Sequence, residues 1–190
     1  MIINHFRLKK GKVSLEANHL DFSEKGIYLL SGDNGSGKTT FIETILKDKR
    51  YLNITSKHER IAYFSQRNYK YPMSVSNYLT CSNRELLNEY ISYFSIDCLN
   101  EDIMNLSGGE FVVVSLIRCF IKDTPIIILD EPTNNLDNGT AEKVNQIINE
   151  LSATKTIILS THDERLKFND HVNYHFSNGK ILKEEGSWSK

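Results

Sequence analysis

The segment Gly32-Asp33-Asn34-Gly35-Ser36-Gly37-Lys38-Thr39 fits G-x-x-x-x-G-K-[ST] at every fixed position, and no other feature limits the fold so sharply. Its glycines let successive backbone N–H groups turn inward around an anion, where side chains would collide. Such a loop works only if a strand delivers it and a helix receives its last residues. Gly26-Ile27-Tyr28-Leu29-Leu30 is a short apolar run before it, and Phe41, Ile42, Ile45 and Leu46 recur at helical spacing after it. The helix tip brings the positive end of its dipole to Lys38, Thr39 and Thr40. Lys38 is placed to reach the β- and γ-phosphates of a nucleoside triphosphate, and the Thr39 hydroxyl to bind Mg²⁺.

The rest of the chain fits that frame. Ile2–Leu8, Val13–Ala17 and His19–Phe22 read as an opening set of strands around a turn at Lys9–Lys12. Ile61–Phe64, Ile126–Leu129 and Thr156–Ser160 read as short buried strands, with helices over about 106–122 and 141–151 between them. Between Ser76 and Met104 apolar residues recur at helical steps, which predicts a helical lobe within about 67–122. A hairpin at Ser177-Asn178-Gly179-Lys180 closes the pattern. Strands alternating with helices predict an α/β fold, a mostly parallel sheet with an N-terminal antiparallel part, in one domain over 190 residues.

Charge and hydropathy exclude other classes. The 23 basic and 24 acidic residues nearly cancel, so no nucleic-acid partner is expected. The longest apolar runs, Pro125–Leu129 and Thr156–Leu159, are far short of the ~18–20 residues a membrane span needs. No leader-type apolar segment stands at the N-terminus. Cys81, Cys98 and Cys119 are odd in number and lack C-x-x-C spacing, which favours reduced thiols over a disulfide or metal site.

Asp130 and Glu131 end an apolar strand. At the carboxyl edge of a parallel sheet, where a phosphate loop also lies, Asp130 comes beside the metal and Glu131 can polarise an attacking water. Alone, the pair would read as a solvated acidic turn. His162 follows the next strand: a surface capping residue by itself, or a hydrogen-bonding sensor of the γ-phosphate in that sheet. Gln66, past the strand at 61–64, is either a plain loop residue or a ligand of the metal or the attacking water. Leu106-Ser107-Gly108-Gly109-Glu110 makes a second glycine turn feeding a helix.

In this order the pieces resemble the nucleotide-binding domain of ABC ATPases over nearly the whole chain. Gly32–Thr39 resembles the Walker A loop, Gln66 the Q-loop, Leu106–Glu110 the LSGGQ signature, and Ile126–Glu131 Walker B with its catalytic glutamate. Asn134-Asn135-Leu136-Asp137 is similar to the D-loop and His162 to the switch histidine. The resemblance implies an ATP-binding and hydrolysing, Mg²⁺-dependent subunit. Two copies face head to tail around two ATP. Ser107, Gly108 and Gly109 of one copy cap the γ-phosphate held by the other, and Asp137 lies along the seam. A separate transmembrane subunit follows the movement, which places the chain at the cytoplasmic face of the cell membrane.

Size suggests, by analogy, ATPase subunits of small peptide, bacteriocin-immunity or drug exporters. The alternative is the ATPase of a soluble ABC-type machine, iron–sulfur assembly-like or translation-factor-like. A phosphate-loop metabolite kinase would leave Leu106–Gly109 and Asn134–Asp137 unexplained. The stretch Arg67–Pro72, with two tyrosines, reads as a contact surface for the membrane subunit or as a half-buried anchor. Three departures from the family pattern stand out. Glu110 replaces Gln, and suits a phosphate site only if it points away or caps the helix. Phe111-Val112-Val113-Val114 is apolar where the family is polar. No aromatic near Lys9–Lys10 can stack on adenine, which leaves Phe6 as the candidate.

Overall fold

The computed structural model describes residues 1–11, 13–47, 60–65, 67–81 and 83–184. Strands β1 (Ile2–Lys10), β2 (Val13–Asp21) and β3 (Gly26–Ser31) lead to helix α1 (Lys38–Lys47) and strand β4 (Ile61–Phe64). Helices α2 (Val75–Tyr78) and α3 (Arg84–Phe94), a 3₁₀ turn (Ile103–Asn105) and α4 (Gly108–Phe120) follow. The chain continues through β5 (Ile126–Asp130), α5 (Asn138–Ser152), β6 (Thr156–Ser160), β7 (His171–Ser177) and β8 (Lys180–Glu184). These strands form one sheet in the order β1-β2-β8-β7-β3-β6-β5-β4. The run β7-β3-β6-β5-β4 is parallel, while β1–β2 and β7–β8 are antiparallel hairpins.

Every residue of β5 and β6 is buried, which is why both read as unbroken apolar runs. Their side chains alternate between two cores. Ile127, Leu129, Ile157 and Leu159 join Leu87, Val114, Ile117, Val144 and Ile148 of α3, α4 and α5. Ile126, Ile128 and Ile158 join Phe41, Ile42 and Ile45 of α1 with Phe6 and Leu15 of the opening hairpin. Each fully buried isoleucine contributes roughly 1.5–3 kcal/mol relative to exposure, which offsets the cost of ending β5 in a buried acid. The pairings Leu30↔Ser160, Asp130↔Ser160 and Phe64↔Leu129 keep the strand ends level. The segments after β3, β4, β5 and β6 therefore leave along one edge.

Two local departures from the sequence pattern have clear causes. β2 is one strand although its pattern breaks into two. Ala17 and Leu20 are both buried, a three-residue step that reverses the inward phase at Asn18. Opposite, His5 takes φ 55° and β1 switches phase between Ile3 and Phe6, while the register runs on unchanged. The helical stretch predicted from 76 to 104 is interrupted. Asn83 and Asp102 cap new turns with their side chains, and Ser95 ends α3 in the left-handed region.

The apolar run after the second glycine turn is core. Phe111, Val113 and Val114 are buried with most of α4, and only Val112 is half-buried. Cys98 and Cys119 are also buried, and burial pushes the Cys119 thiol up to about 12.

Candidate active site

Between β3 and α1 the chain turns through three left-handed glycines, Gly32, Gly35 and Gly37, at φ 128°, 81° and 105°. A Cβ at Gly32 would stand 2.4 Å from the Phe176 carbonyl oxygen, and one at Gly37 2.9 Å from Leu15. Both the dihedrals and the space require glycine there. Lys38 follows, 7% exposed. Its ammonium donates to the Gly32 carbonyl (2.6 Å), the Asp33 carbonyl (3.1 Å) and His162 Nε2 (2.9 Å). Burial holds it below the usual lysine range, against the opposing pull of Glu131, Asp130 and Asp33.

Asp130 ends β5 at 1% exposure. Its Oδ1 accepts a short hydrogen bond from Ser160 Oγ, while Oδ2 is buried with no partner among the described residues. A lone buried carboxylate oxygen is costly unless a cation or donor meets it. With the Thr39 hydroxyl lining the same cleft, this donor set fits Mg²⁺, which binds through one or two protein oxygens plus phosphate and water. Glu131 takes φ 52° and donates its N–H to the Ser160 carbonyl at 2.9 Å. That left-handed turn lifts its side chain from the strand into the cleft. Oε2 accepts from the His162 N–H at 3.3 Å. Burial raises the Glu131 carboxyl above its ordinary range, with His162 and Lys38 pulling it back.

A cleft of ≈ 410 Å³ is lined by Asn34, Gly35, Gly37, Lys38, Thr39 and Thr40 of the loop and helix tip, by Asp130, Glu131, Asn134 and His162, and by Val13. Ser107, Gly108 and Gly109 are absent from that lining. Ser107 and Gly109 border a second cleft, of ≈ 290 Å³, with Asn135 and Asp137. A third space, lined by Val112, Glu131, Asn134 and Asn135, lies between the two. Gln66 lies outside the described residues.

Glu110 caps its own helix. Its Oε2 accepts from the Ser107 N–H at 2.7 Å and its N–H donates to Ser107 Oγ at 3.2 Å, a capping box that holds the carboxyl below its usual range. The carboxylate is thus folded back onto Ser107, bonded by both its hydroxyl and its N–H. A Cβ at Gly108 would meet open space. Asp137 caps α5 through the Thr140 N–H at 3.0 Å.

Phe6 does not take the adenine-stacking place the sequence suggested for it. It is wholly buried, edge-on to Phe41 at 5.0 Å between ring centroids, because the phase switch at His5 turns it inward. Three partners went unread in the sequence: Ser160, which holds Asp130, and the Asp163–Arg165 pair beyond His162. A Ser or Asp flanking an identified motif residue was the available signal for two of them. Beyond Asp163 and Asn138, Arg165 bonds to the backbone carbonyls of Thr133 and Leu136, which leave no pattern.

A phosphate loop at the carboxyl edge of a parallel sheet, facing a buried aspartate and a cleft-lining glutamate, defines a phosphate-loop nucleoside triphosphatase. A model of the ABC transporter family matches residues 15–134, and the chain belongs to that family. It is an ABC ATPase, of the ATP-binding kind of subunit. An uncharacterized ABC transporter ATP-binding protein of Bacillus subtilis, YclH, is 24% identical over 216 residues, covering 96% of this chain and 94% of that protein. A solved ATP-binding subunit of an ABC transporter superposes with a TM-score of 0.80 at 19% identity, covering 96% of this chain and 88% of that one. A solved dimeric bacterial ABC transporter cassette gives 0.74 at 22% identity, covering 97% and 98%.

Proposed function

We propose that residues 1–190 form one nucleotide-binding module, with its helical lobe over about 67–122, that closes head to tail on a second copy around two Mg²⁺-ATP. Gly32, Asp33, Asn34, Gly35, Ser36, Gly37, Lys38, Thr39 and Thr40 hold the triphosphate. Thr39, Asp130 and Gln66 hold Mg²⁺, which neutralises phosphate charge when bound. Glu131 polarises the attacking water, its raised proton affinity matching a general base, and His162 holds the γ-phosphate. Ser107, Gly108 and Gly109 of the second copy complete the site, with Asp137 along the seam. One observation carries this reading: the Ser107 helix tip, with Glu110 folded back onto its cap and an open Gly108, lines no part of its own chain's Lys38 cleft.

A separate membrane subunit would dock where apolar surface is exposed. Tyr69 and Tyr71 are 72% and 54% exposed, so they are not buried anchors. Exposed Met73 and Met104 adjoin them, because the Ile103 N–H donates to the Met73 carbonyl at 2.9 Å. No helix among the described residues is long and apolar enough to cross a membrane. A separate polypeptide would therefore hold the chain at the cytoplasmic face.

Light scattering on the Glu131→Gln chain tests the shared site. ATP should convert it to a dimer, and a strictly monomeric ATP-loaded protein at high concentration overturns the reading. Recovery of the chain from detergent should bring a membrane protein with it. Recovery on ribosomes or a soluble scaffold would move the chain to a non-transport machine.

A further inference from the structure

Arg165 stands three residues past His162, and nothing above assigns it a role. Its guanidinium is engaged on three sides. Nε donates to both Asp163 oxygens at 2.8 and 3.1 Å, and Nη2 donates to Asp163 Oδ2 at 2.7 Å. Nη2 also reaches the Thr133 carbonyl at 3.3 Å, and Nη1 donates to the Leu136 carbonyl at 2.9 Å and Asn138 Oδ1 at 3.1 Å. Asp163 accepts in addition from Thr133 Oγ1 at 2.5 Å, and Thr133 is 1% exposed.

One side chain thus grips both ends of the segment 133–138 and fastens it to the turn that carries His162. That segment spans the two clefts. Asn134 lines the Lys38 cleft beside Glu131 and His162, while Asn135, Leu136 and Asp137 line the Ser107 cleft. Asn135 sits between them at φ 65°, a conformation that persists only where the surroundings hold it.

We propose that Arg165, held by Asp163, is a positioning residue that makes His162 and the segment 133–138 move as one body, so that closure at the Ser107 cleft sets His162 in the Lys38 cleft. The proposal rests on the shared-site reading above. The planar five-donor fork suits the task, since it bridges a carboxylate and two backbone carbonyls at fixed angles. A lysine at 165 offers one compact ammonium and cannot span the same acceptors. The contacts are charge-assisted, and although Arg165 itself is exposed, its carboxylate partner Asp163 is half-buried and fixed by a second bond from Thr133.

The test compares Arg165→Met, Arg165→Lys and Asn138→Ala with the parent chain by ATP titration, steady-state turnover and thermal melting. Arg165→Met should bind ATP within about threefold of the parent while kcat falls about tenfold or more and the Hill coefficient for ATP drops towards 1. Arg165→Lys should fail to restore either, and Asn138→Ala, which loses a single contact, should show a smaller fall of the same kind. In a His162→Ala background, Arg165→Met should cost no further turnover, and fully additive losses overturn the coupling. A lowered Tm with kcat and Hill coefficient unchanged makes Arg165 a loop pin only and overturns it too. If Arg165→Met does not fold, Arg165→Lys and Asn138→Ala decide on the same readouts. Failure of the parent Glu131→Gln chain to dimerise with ATP would sink the shared-site reading instead. Dimerisation of that parent, together with unchanged kinetics in the Arg165 variants, would sink this inference alone.

Discussion

Lys38 and His162, 124 residues apart, meet with the Lys38 ammonium donating to His162 Nε2 at 2.9 Å. Accepting there assigns the imidazole proton to Nδ1. The 3.7 Å between His162 Nε2 and Glu131 Oε1 is then a through-space contact, not a hydrogen bond. Ammonium, imidazole and carboxylate thus converge on one point of the cleft.

From that geometry the two residues should fail differently. Lys38→Met removes the only ammonium among the described residues of the cleft lining and should cost about 2–4 kcal/mol of ATP binding, roughly 30- to 1,000-fold. His162→Ala should leave ATP affinity within a few-fold and lower kcat by roughly 10²–10³. Isothermal titration and steady-state turnover separate them. Equal affinity losses would make His162 a ground-state ligand.

Glu131 bears a cost in the fold that its chemistry explains. Burial raises its carboxyl, so the penalty on the folded state is present above the ordinary 4.5 and relieved as pH falls. Glu131→Gln should therefore melt at or above the parent temperature near pH 7, with the advantage shrinking towards pH 4. Turnover should fall by roughly 10²–10⁴ with ATP binding retained. Melting curves at both pH values and an ATPase assay check this, and rapid hydrolysis by the variant would remove Glu131 from its role.

Two glycines separate folding from assembly. Gly32→Ala forces a Cβ to 2.4 Å from a backbone oxygen at φ 128°, and should lower Tm and abolish ATP binding together. Gly108→Ala meets open space on a helix tip, so Tm and per-chain ATP binding should hold. In the Glu131→Gln background, however, ATP-driven dimerisation should weaken at least about tenfold, since an added methyl blocks close backbone approach. Loss of stability in Gly108→Ala would instead place that glycine in its own chain's packing.

Residues whose roles are local were legible in the sequence. The loop at 32–39 and the strand ending in Asp130 and Glu131 announce themselves because glycine spacing and a buried run carry their own geometry. The capping box at Ser107 and Glu110 lies within four residues and was an open option. Arg165 was not legible, because its acceptors at 133 and 136 are backbone carbonyls that any residue supplies. Phe6 misled for a related reason. Its face depends on the left-handed φ of His5, and histidine does not signal that conformation as glycine would.

Phe6 and Val13 together bear on base selectivity. Val13 is the only wholly aliphatic side chain bordering the cleft among the described residues, and among them no phenylalanine, tyrosine or tryptophan borders it. The ~1–3 kcal/mol that base stacking on an aromatic supplies is missing from this lining, so ATP and GTP should bind within about tenfold of each other. Phe6→Ala should cost roughly 3–5 kcal/mol of stability and leave the ATP-to-GTP ratio unchanged. Competition binding and melting curves test both. A strong preference for ATP that Phe6→Ala abolishes would return Phe6 to the site.

Asp163 gives the pair with Arg165 a defined acid limit. The Arg165 guanidinium beside it holds its carboxyl at about 2, below the ordinary 3.8. A depressed carboxyl stabilises the fold above its unfolded value, and that contribution is lost as pH falls from about 4 to about 2. Asp163→Asn should therefore melt below the parent at pH 7, and the gap should narrow through that window until the curves meet near pH 2. Asp21, Glu110 and Asp137 are also held below their ordinary range, so both proteins weaken in acid, and the difference between them isolates Asp163. A gap that stays constant from pH 7 to pH 2 would mean the charge on Asp163 contributes nothing, and that its contacts act through shape alone.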